Sequence, residues 1–381
     1  MRSFTLTVAS ILYTIPVNLE IEVTMAGKKR KNWVALGALV FFAYVFMAST
    51  PIGKETVLVP AWLSPVESEK THSKTDPGSS PAPMPFKLGS RFGYYGADSG
   101  FSLIETVESR LSLNEHSWAS YGASPDSIEV MNVDGSLRFV TNERGYPLFI
   151  EDQTWIIGPE QNTIALLGES GKILWCRQYP SPITCADAAV GLTLVGLLDG
   201  SIDLIATDGS RVFYFEPGGS RLPVITSAHL SSDARRIALV SGVDPQRFLL
   251  LERGGDAYKV IHHEYLGVGF RRPVISAFVG NNAFFVFESE SGLGVHAIAS
   301  KKTTFLPLNG RVLVLNDSPS EERFFLTVDS KTMRELVGVR LPATIFMRAP
   351  FLSAEPFLAV EGQRLYLGSP TALAALDISS K

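Results

Sequence analysis

TWIIGPEQNTIALLGESGKILWCRQYP (Thr154 to Pro180) and LTLVGLLDGSIDLIATDGSRVFYFEP (Leu192 to Pro217) are two copies of one pattern. Each reads as a strand, a short turn, a second strand, a Gly-containing turn and a third strand, because runs of Val, Ile, Leu and Phe of strand length are cut by Gly, Asp and Ser. With the turn before the last strand as a marker, the pattern recurs at Gly135, Gly171, Gly209, Gly255, Ser300, Pro342 and Ser379. The intervals are 36, 38, 46, 45, 42 and 37 residues.

A mean interval near 41 residues matches the roughly 40 to 45 residues of a four-stranded propeller blade. From Leu88 to Lys381 no long amphipathic helix is legible, so residues 88–381 are expected to be all-β, a seven-bladed β-propeller. The chain stops just after the seventh marker, which leaves the last blade without an outermost strand. Phe92–Glu105 (FGYYGADSGFSLIE) is the expected donor, and such closure would remove exposed sheet edges. A pair of β-sandwiches also spaces strands regularly and is the alternative.

The composition, 45% hydrophobic and 19% charged, is that of a folded chain and excludes a mainly disordered one. A net charge of −4 and a pI near 5.9 argue against a dedicated nucleic-acid binder, which needs a basic surface. The mean hydropathy of +0.15 points to a membrane-bound segment. Trp33–Thr50 (WVALGALVFFAYVFMAST) is uncharged, and its 18 residues would span roughly 27 Å as a helix. It is expected to be a single transmembrane signal anchor, with Trp33 and Trp62 near the two interfaces. Lys28, Lys29, Arg30 and Lys31 precede it and would stay on the cytoplasmic side, placing the bulk of the chain outside the cytoplasm. A cleaved signal peptide is the rival, but the obvious site after Ala48 puts Phe46 where a small residue is needed.

The expected organisation is a short cytoplasmic segment (1–32), the anchor (33–50), a Pro/Ser-rich tether (51–87) and the propeller (88–381). Met25 opens MAGKKRKNW and is a candidate true start. Ser64–Lys87 has too few large apolar residues to offset the entropy of ordering and reads as a flexible tether.

The segments ALLGESGKILWCRQY and LVGLLDGSIDLIATDGSRVF resemble the quinoprotein-like (PQQ-repeat) propellers, a WD40-like architecture in which a strand, a Gly turn and a strand ending near Trp recur in each blade. The likeness covers about two blades; the others keep the spacing without the Gly-Lys-x-x-Trp signature. Within that superfamily the chain is most similar to non-catalytic, membrane-tethered propellers of the bacterial cell envelope, including the lipoprotein scaffold of outer-membrane protein assembly. It differs from that scaffold in having no cysteine near the N-terminal apolar segment. The resemblance implies a protein-binding scaffold in the inner membrane, facing the periplasm, that meets envelope or membrane proteins through its loops and lipid through its helix. A degenerate quinoprotein-type enzyme or a small-ligand sensor using the central channel is the alternative.

The quinoprotein enzymes use a vicinal disulfide, and Cys176 and Cys185 are not adjacent, so no cofactor is assigned. The two cysteines are a candidate disulfide across a blade junction, the alternative being two free thiols. His262 and His263 are adjacent; on a strand they point to opposite faces and cannot share one metal. No His-Glu-x-x-His, Gly-x-Ser-x-Gly or complete phosphate loop occurs, and Gly267-Val268-Gly269 reads as a loop. Asp126, Asp134, Asp199, Asp203 and Asp208 are expected to serve turns. The basic pairs Arg235-Arg236 and Arg271-Arg272 could meet an acidic partner, though alternating strand direction or simple solvation explains them as well. No catalytic, cofactor or metal residue is assigned, and a non-enzymatic module is favoured.

Overall fold

The structure is a computed structural model that describes residues 36–44, 56–66 and 83–380, apart from 97–100, 108, 124, 256, 319–321, 331–332 and 354. It divides into two units, Met1–Glu55 and Thr56–Lys381. In the first, the described part is a helix over 36–44 whose apolar side chains are exposed.

The second unit forms eight antiparallel sheets among the described residues. Blade 1 comprises β2 (Met84–Leu88), β3 (Arg91–Tyr95) and β4 (Phe101–Thr106); blade 2 comprises β5 (Arg110–Leu113), β6 (Ser117–Tyr121), β7 (Ile128–Asn132) and β8 (Leu137–Thr141). Blade 3 is β9 (Tyr146–Ile150), β10 (Gln153–Ile157), β11 (Thr163–Leu167) and β12 (Ile173–Gln178). Blade 4 is β13 (Ile183–Ala189), β14 (Leu192–Leu197), β15 (Ile202–Ala206) and β16 (Arg211–Phe215). Blade 5 is β17 (Ile225–Leu230), β18 (Arg236–Ser241), β19 (Gln246–Gly254) and β20 (Ala257–Gly267). Blade 6 is β21 (Ser276–Val279), β22 (Phe284–Ser289), β23 (Gly292–Ala297) and β24 (Lys302–Leu306). Blade 7 is β25 (Arg311–Ser318), β26 (Arg323–Asp329), β27 (Arg334–Arg340) and β28 (Thr344–Pro350). Blade 8 joins β29 (Phe357–Glu361), β30 (Arg364–Ser369) and β31 (Ala372–Ser380) to β1 (Thr56–Pro65) from the start of the unit.

The first strands of successive blades neighbour one another, β13 with β17, β17 with β21, β21 with β25 and β25 with β29, so they form the inner ring. The middle strands lie between two flanking sheets and are buried on both faces, which is why β14 (LTLVGL) and β22 (FFVFES) read as continuous apolar runs. The outer strands alternate, as β12 and β24 show. Seven apolar clusters each fill the space between two adjacent blades, and Phe92 stacks edge-on against Trp118 between blades 1 and 2.

The ring therefore has eight blades, not seven. Six markers, Gly135 through Pro342, do lie between the third and fourth strands of blades 2 to 7, whereas Ser379 lies inside β31. Two local features hid the extra blade. Phe92–Glu105 does not close the ring; it lies in β3 and β4 of a blade of its own. Closure comes instead from β1, inside the stretch read as a tether, which pairs with β31 from Thr56↔Ser380 to Pro65↔Ala372. Trp62 sits in β1, its ring 6.1 Å from that of Tyr366, and not at a membrane interface.

The expected transmembrane helix is also corrected. Among the described residues no helix is long and apolar enough to cross a membrane, since the helix over 36–44 rises only about 14 Å against a hydrocarbon core of about 30 Å. Trp33, Thr50, Lys28, Lys29, Arg30, Lys31 and the candidate start Met25 lie outside the described residues. Single-pass anchoring in the inner membrane is therefore unsupported.

Candidate functional site

The antiparallel order fixes which loops share a face. Turns after first and third strands lie at one end of the ring, and turns after second and fourth strands at the other. At the first end an open depression of about 360 Å³ is lined by Ala188 and Ala189 of β13, His229 and Leu230 of β17, Phe278 of β21 and the turn residue Asn282. Its walls are stitched blade to blade. Asp187 accepts the Leu230 N–H at 2.9 Å and lies 3.2 Å from His229 Nδ1, while Asn282 Nδ2 donates to Ser232 Oγ at 2.6 Å. Asp317 accepts the Gly280 N–H at 2.8 Å; burial raises its pKa against the opposing effect of that bond and of the Ser318 N–H. These side chains are committed to holding the ring together.

The opposite end carries exposed apolar and aromatic side chains over blades 4 to 6: Leu198, Leu222, Tyr265 and Val268. Backbone bonds join the loops that bear them, from the Val243 N–H to Leu222 O at 3.2 Å and from the Gly269 N–H to Val243 O at 2.8 Å. The turn at Gly200 lies against Pro223, where a Cβ would come within 2.6 Å of the proline, so the loop bearing Leu198 packs on the one bearing Leu222. Arg247 lies over the Tyr265 ring at 5.1 Å and donates to Gly218 O at 2.9 Å. Arg272 lies 4.4 Å over Phe270 and pairs with Glu288 at 2.7 Å, and the neighbouring Arg271 is exposed. Of Gly267-Val268-Gly269, expected as a loop, Gly267 ends β20 and Val268-Gly269 form the loop within this patch.

Asp134, Asp199 and Asp208 each accept from the N–H and hydroxyl of the serine two residues on, and for Asp134 and Asp208 the serine bonds lower the carboxyl pKa. Asp203 departs from the expected turn role. It is fully buried in β15, where it meets Arg177 at 2.8 Å, Arg211 at 2.8 Å and Tyr179 Oη at 3.2 Å, joining blades 3 and 4. Trp175 reinforces the same junction: its Nε1 donates to Thr207 O at 2.8 Å and its indole covers Gly209, where a Cβ would come within 2.9 Å.

Cys176 is exposed on β12, whereas Cys185 on β13 is half-buried as a residue but packs its sulfur over Gly196 against the core between blades 4 and 5; both are free thiols. Arg236 pairs with Glu252. His262 and His263 do point to opposite sides, with exposed His263 beside Tyr265. A further grouping escaped the sequence reading: among the described residues His262, Glu264 and His296 bring donor atoms within 4.8 Å of one another. The legible part of that signal was the His-x-Glu spacing, which puts residues 262 and 264 on one side of a strand.

An uncharacterised protein of Treponema pallidum (strain Nichols) is 26% identical over 298 residues, covering 77% of this chain and 79% of that one. Among solved structures, BamB from Moraxella catarrhalis matches with a TM-score of 0.58 at 12% identity, covering 84% of this chain and all of that one. The computationally designed protein Ika8 also gives 0.58, at 10% identity, over 79% of this chain and 98% of that one. At these identities the likeness to both structures is one of fold. A family model described as beta-propeller protein matches residues 25–381, and with eight blades closed by β1 the chain belongs to the beta-propeller proteins.

Proposed function

We propose that the ring is a non-enzymatic protein-binding module of the bacterial cell envelope that docks partners on the Leu198, Leu222, Tyr265 and Val268 face. One observation carries the reading: that patch sets exposed Leu and Val side chains around Tyr265 and arginines already held in place, and Tyr and Arg are residue types enriched where binding energy concentrates at protein interfaces. Rigidity adds to it, because loops bonded to one another lose little entropy on binding. The fold likeness to BamB and the resemblance to envelope propellers support the setting. Trp175 on Gly209 and Thr207 supports kinship with the PQQ-repeat propellers, whose signature includes a blade-ending tryptophan.

The test places a photo-crosslinking residue at Leu222 or Val268, and at Val190 on the other end of the ring, in the full chain in its native cells. Crosslinks to one defined envelope protein from 222 and 268 but not from 190, abolished by Tyr265→Ala with Arg271→Glu, are expected. Equal labelling from both ends, or labelling indifferent to those substitutions, would overturn the docking face.

A further inference from the structure

We infer that His262, Glu264 and His296 form a binding site for a divalent transition metal of the zinc class, bridging blades 5 and 6. His262 and Glu264 lie on one side of β20, and a register shift between Leu250 and Leu251 on the partner strand marks the bulge before them. His296 comes from β23 of the next blade and is 0% exposed.

A hydrogen-bond chain sets the histidine's tautomer. Thr303, directly across from His296 in the ladder, donates its hydroxyl to Glu264 Oε2 at 2.5 Å. Its oxygen is then the acceptor for His296 Nδ1–H at 3.0 Å. Nε2 of His296 is left as a bare lone pair, buried and without a hydrogen-bond partner in the protein, and Nε2 of His262 is also buried without a hydrogen bond, 3.9 Å from Glu264 Oε2. The two imidazoles lie 4.4 Å apart, with Phe248 4.9 Å from His296. The rings are tilted against one another, at 33° between the two imidazoles and 60° between Phe248 and His296, and this packing leaves both Nε2 atoms without a hydrogen bond. A cation satisfies both at once, and an Nδ1–H held by a polar neighbour is the usual orienting device behind a metal-bound histidine.

Two imidazoles and one carboxylate suit Zn²⁺, whereas Mg²⁺ and Ca²⁺ prefer all-oxygen shells. Tetrahedral bonds of about 2.1 Å put donor atoms about 3.4 Å apart, so a spacing within 4.8 Å requires the side chains to draw in by at most about 1.4 Å. His262 and Glu264 keep 21% and 31% of their side chains exposed; they can move, and they leave a solvent side for the ion's entry and for a fourth ligand.

The experiment is a titration of chelator-stripped full-length protein with Zn²⁺, and with Co²⁺ as a spectroscopic stand-in. One equivalent is expected to bind with a rise in Tm, and the Co²⁺ form to show the visible bands of a four-coordinate site. His262→Gln, at a half-exposed position, is expected to weaken binding at least about 10-fold while His263→Gln leaves it unchanged. Glu264→Gln gives a second reading should one variant fold poorly. Absence of stoichiometric binding by the folded wild type, or binding unchanged in both His262→Gln and Glu264→Gln, would overturn the site.

Discussion

Replacing Asp203 should loosen the junction between blades 3 and 4 more than any other single polar change there. The carboxylate is fully buried and receives Arg177 NH1 at 2.8 Å, Arg211 Nε at 2.8 Å and the Tyr179 hydroxyl at 3.2 Å. The hydrogen bond that Arg211 donates to the carboxylate holds its guanidinium above the ordinary pKa, and burial followed by the Asp203 charge raises that of the Tyr179 phenol. Asp203→Asn keeps the shape but removes the charge, and its amide group then points donors at donors. Breaking a buried ion pair costs roughly 3 to 5 kcal/mol. Here Arg177 is 22% and Arg211 51% exposed, so both regain water and the loss falls to the low end, about 3 kcal/mol. With a urea dependence of about 3 kcal/mol/M, the unfolding midpoint should drop by about 1 M at an unchanged slope. Arg177→Met in the Asp203→Asn background should add much less than it costs alone. A midpoint shift under about 0.2 M would refute the idea that this carboxylate clamps the two blades.

Removing residues 56–65 should convert a monomer to aggregates, because β31 would become an unpaired edge; size-exclusion chromatography with light scattering decides it, and a stable monomer would contradict closure by β1. Thiol labelling near neutral pH should show Cys176 reacting in the native state and Cys185 only on unfolding, since burial pushes the Cys185 thiol up to about 12. Asp317→Asn should stabilise the protein at neutral pH. The folded-state pKa of Asp317 is raised by burial, so its favourable contribution is complete below the unfolded pKa and lost as pH rises through the folded one. Denaturation midpoints of variant and wild type should therefore converge as pH falls toward about 4.

Blade spacing was legible because its signals are local: Gly135, Gly171 and Gly209 take positive φ in the turns that end each third strand, and no distant residue is needed to recognise them. β1 was not legible for the opposite reason. TVLVPAWLSP carries two prolines beside a Pro/Ser-rich stretch, and prolines are excluded from central strands. As an outermost strand β1 tolerates them, and its register shift falls between Pro60 and Trp62. Burial of Asp203 among two arginines and a tyrosine depends on a neighbouring blade, so its Asp-rich sequence context suggested a turn. The grouping of His262, Glu264 and His296 is only partly legible, because the His-x-Glu spacing marks two of its members. Its third member lies on another blade, a proximity that only the folded ring creates.

Ring closure by β1 underlies both the docking face and the junctions, and a cysteine pair at Val57 and Ser379, which are partners in the ladder, tests it most directly. Facing residues on antiparallel strands have Cα atoms about 4.5 to 5.5 Å apart, within disulfide range. In a Cys176→Ser, Cys185→Ser background, Val57→Cys with Ser379→Cys should oxidise within the monomer, give a crosslinked peptide joining positions 57 and 379, and raise Tm. No intramolecular bond from that pair, together with efficient oxidation of Phe101→Cys with Ser379→Cys, would place residues 92–105 at the seam and contradict the eight-bladed ring.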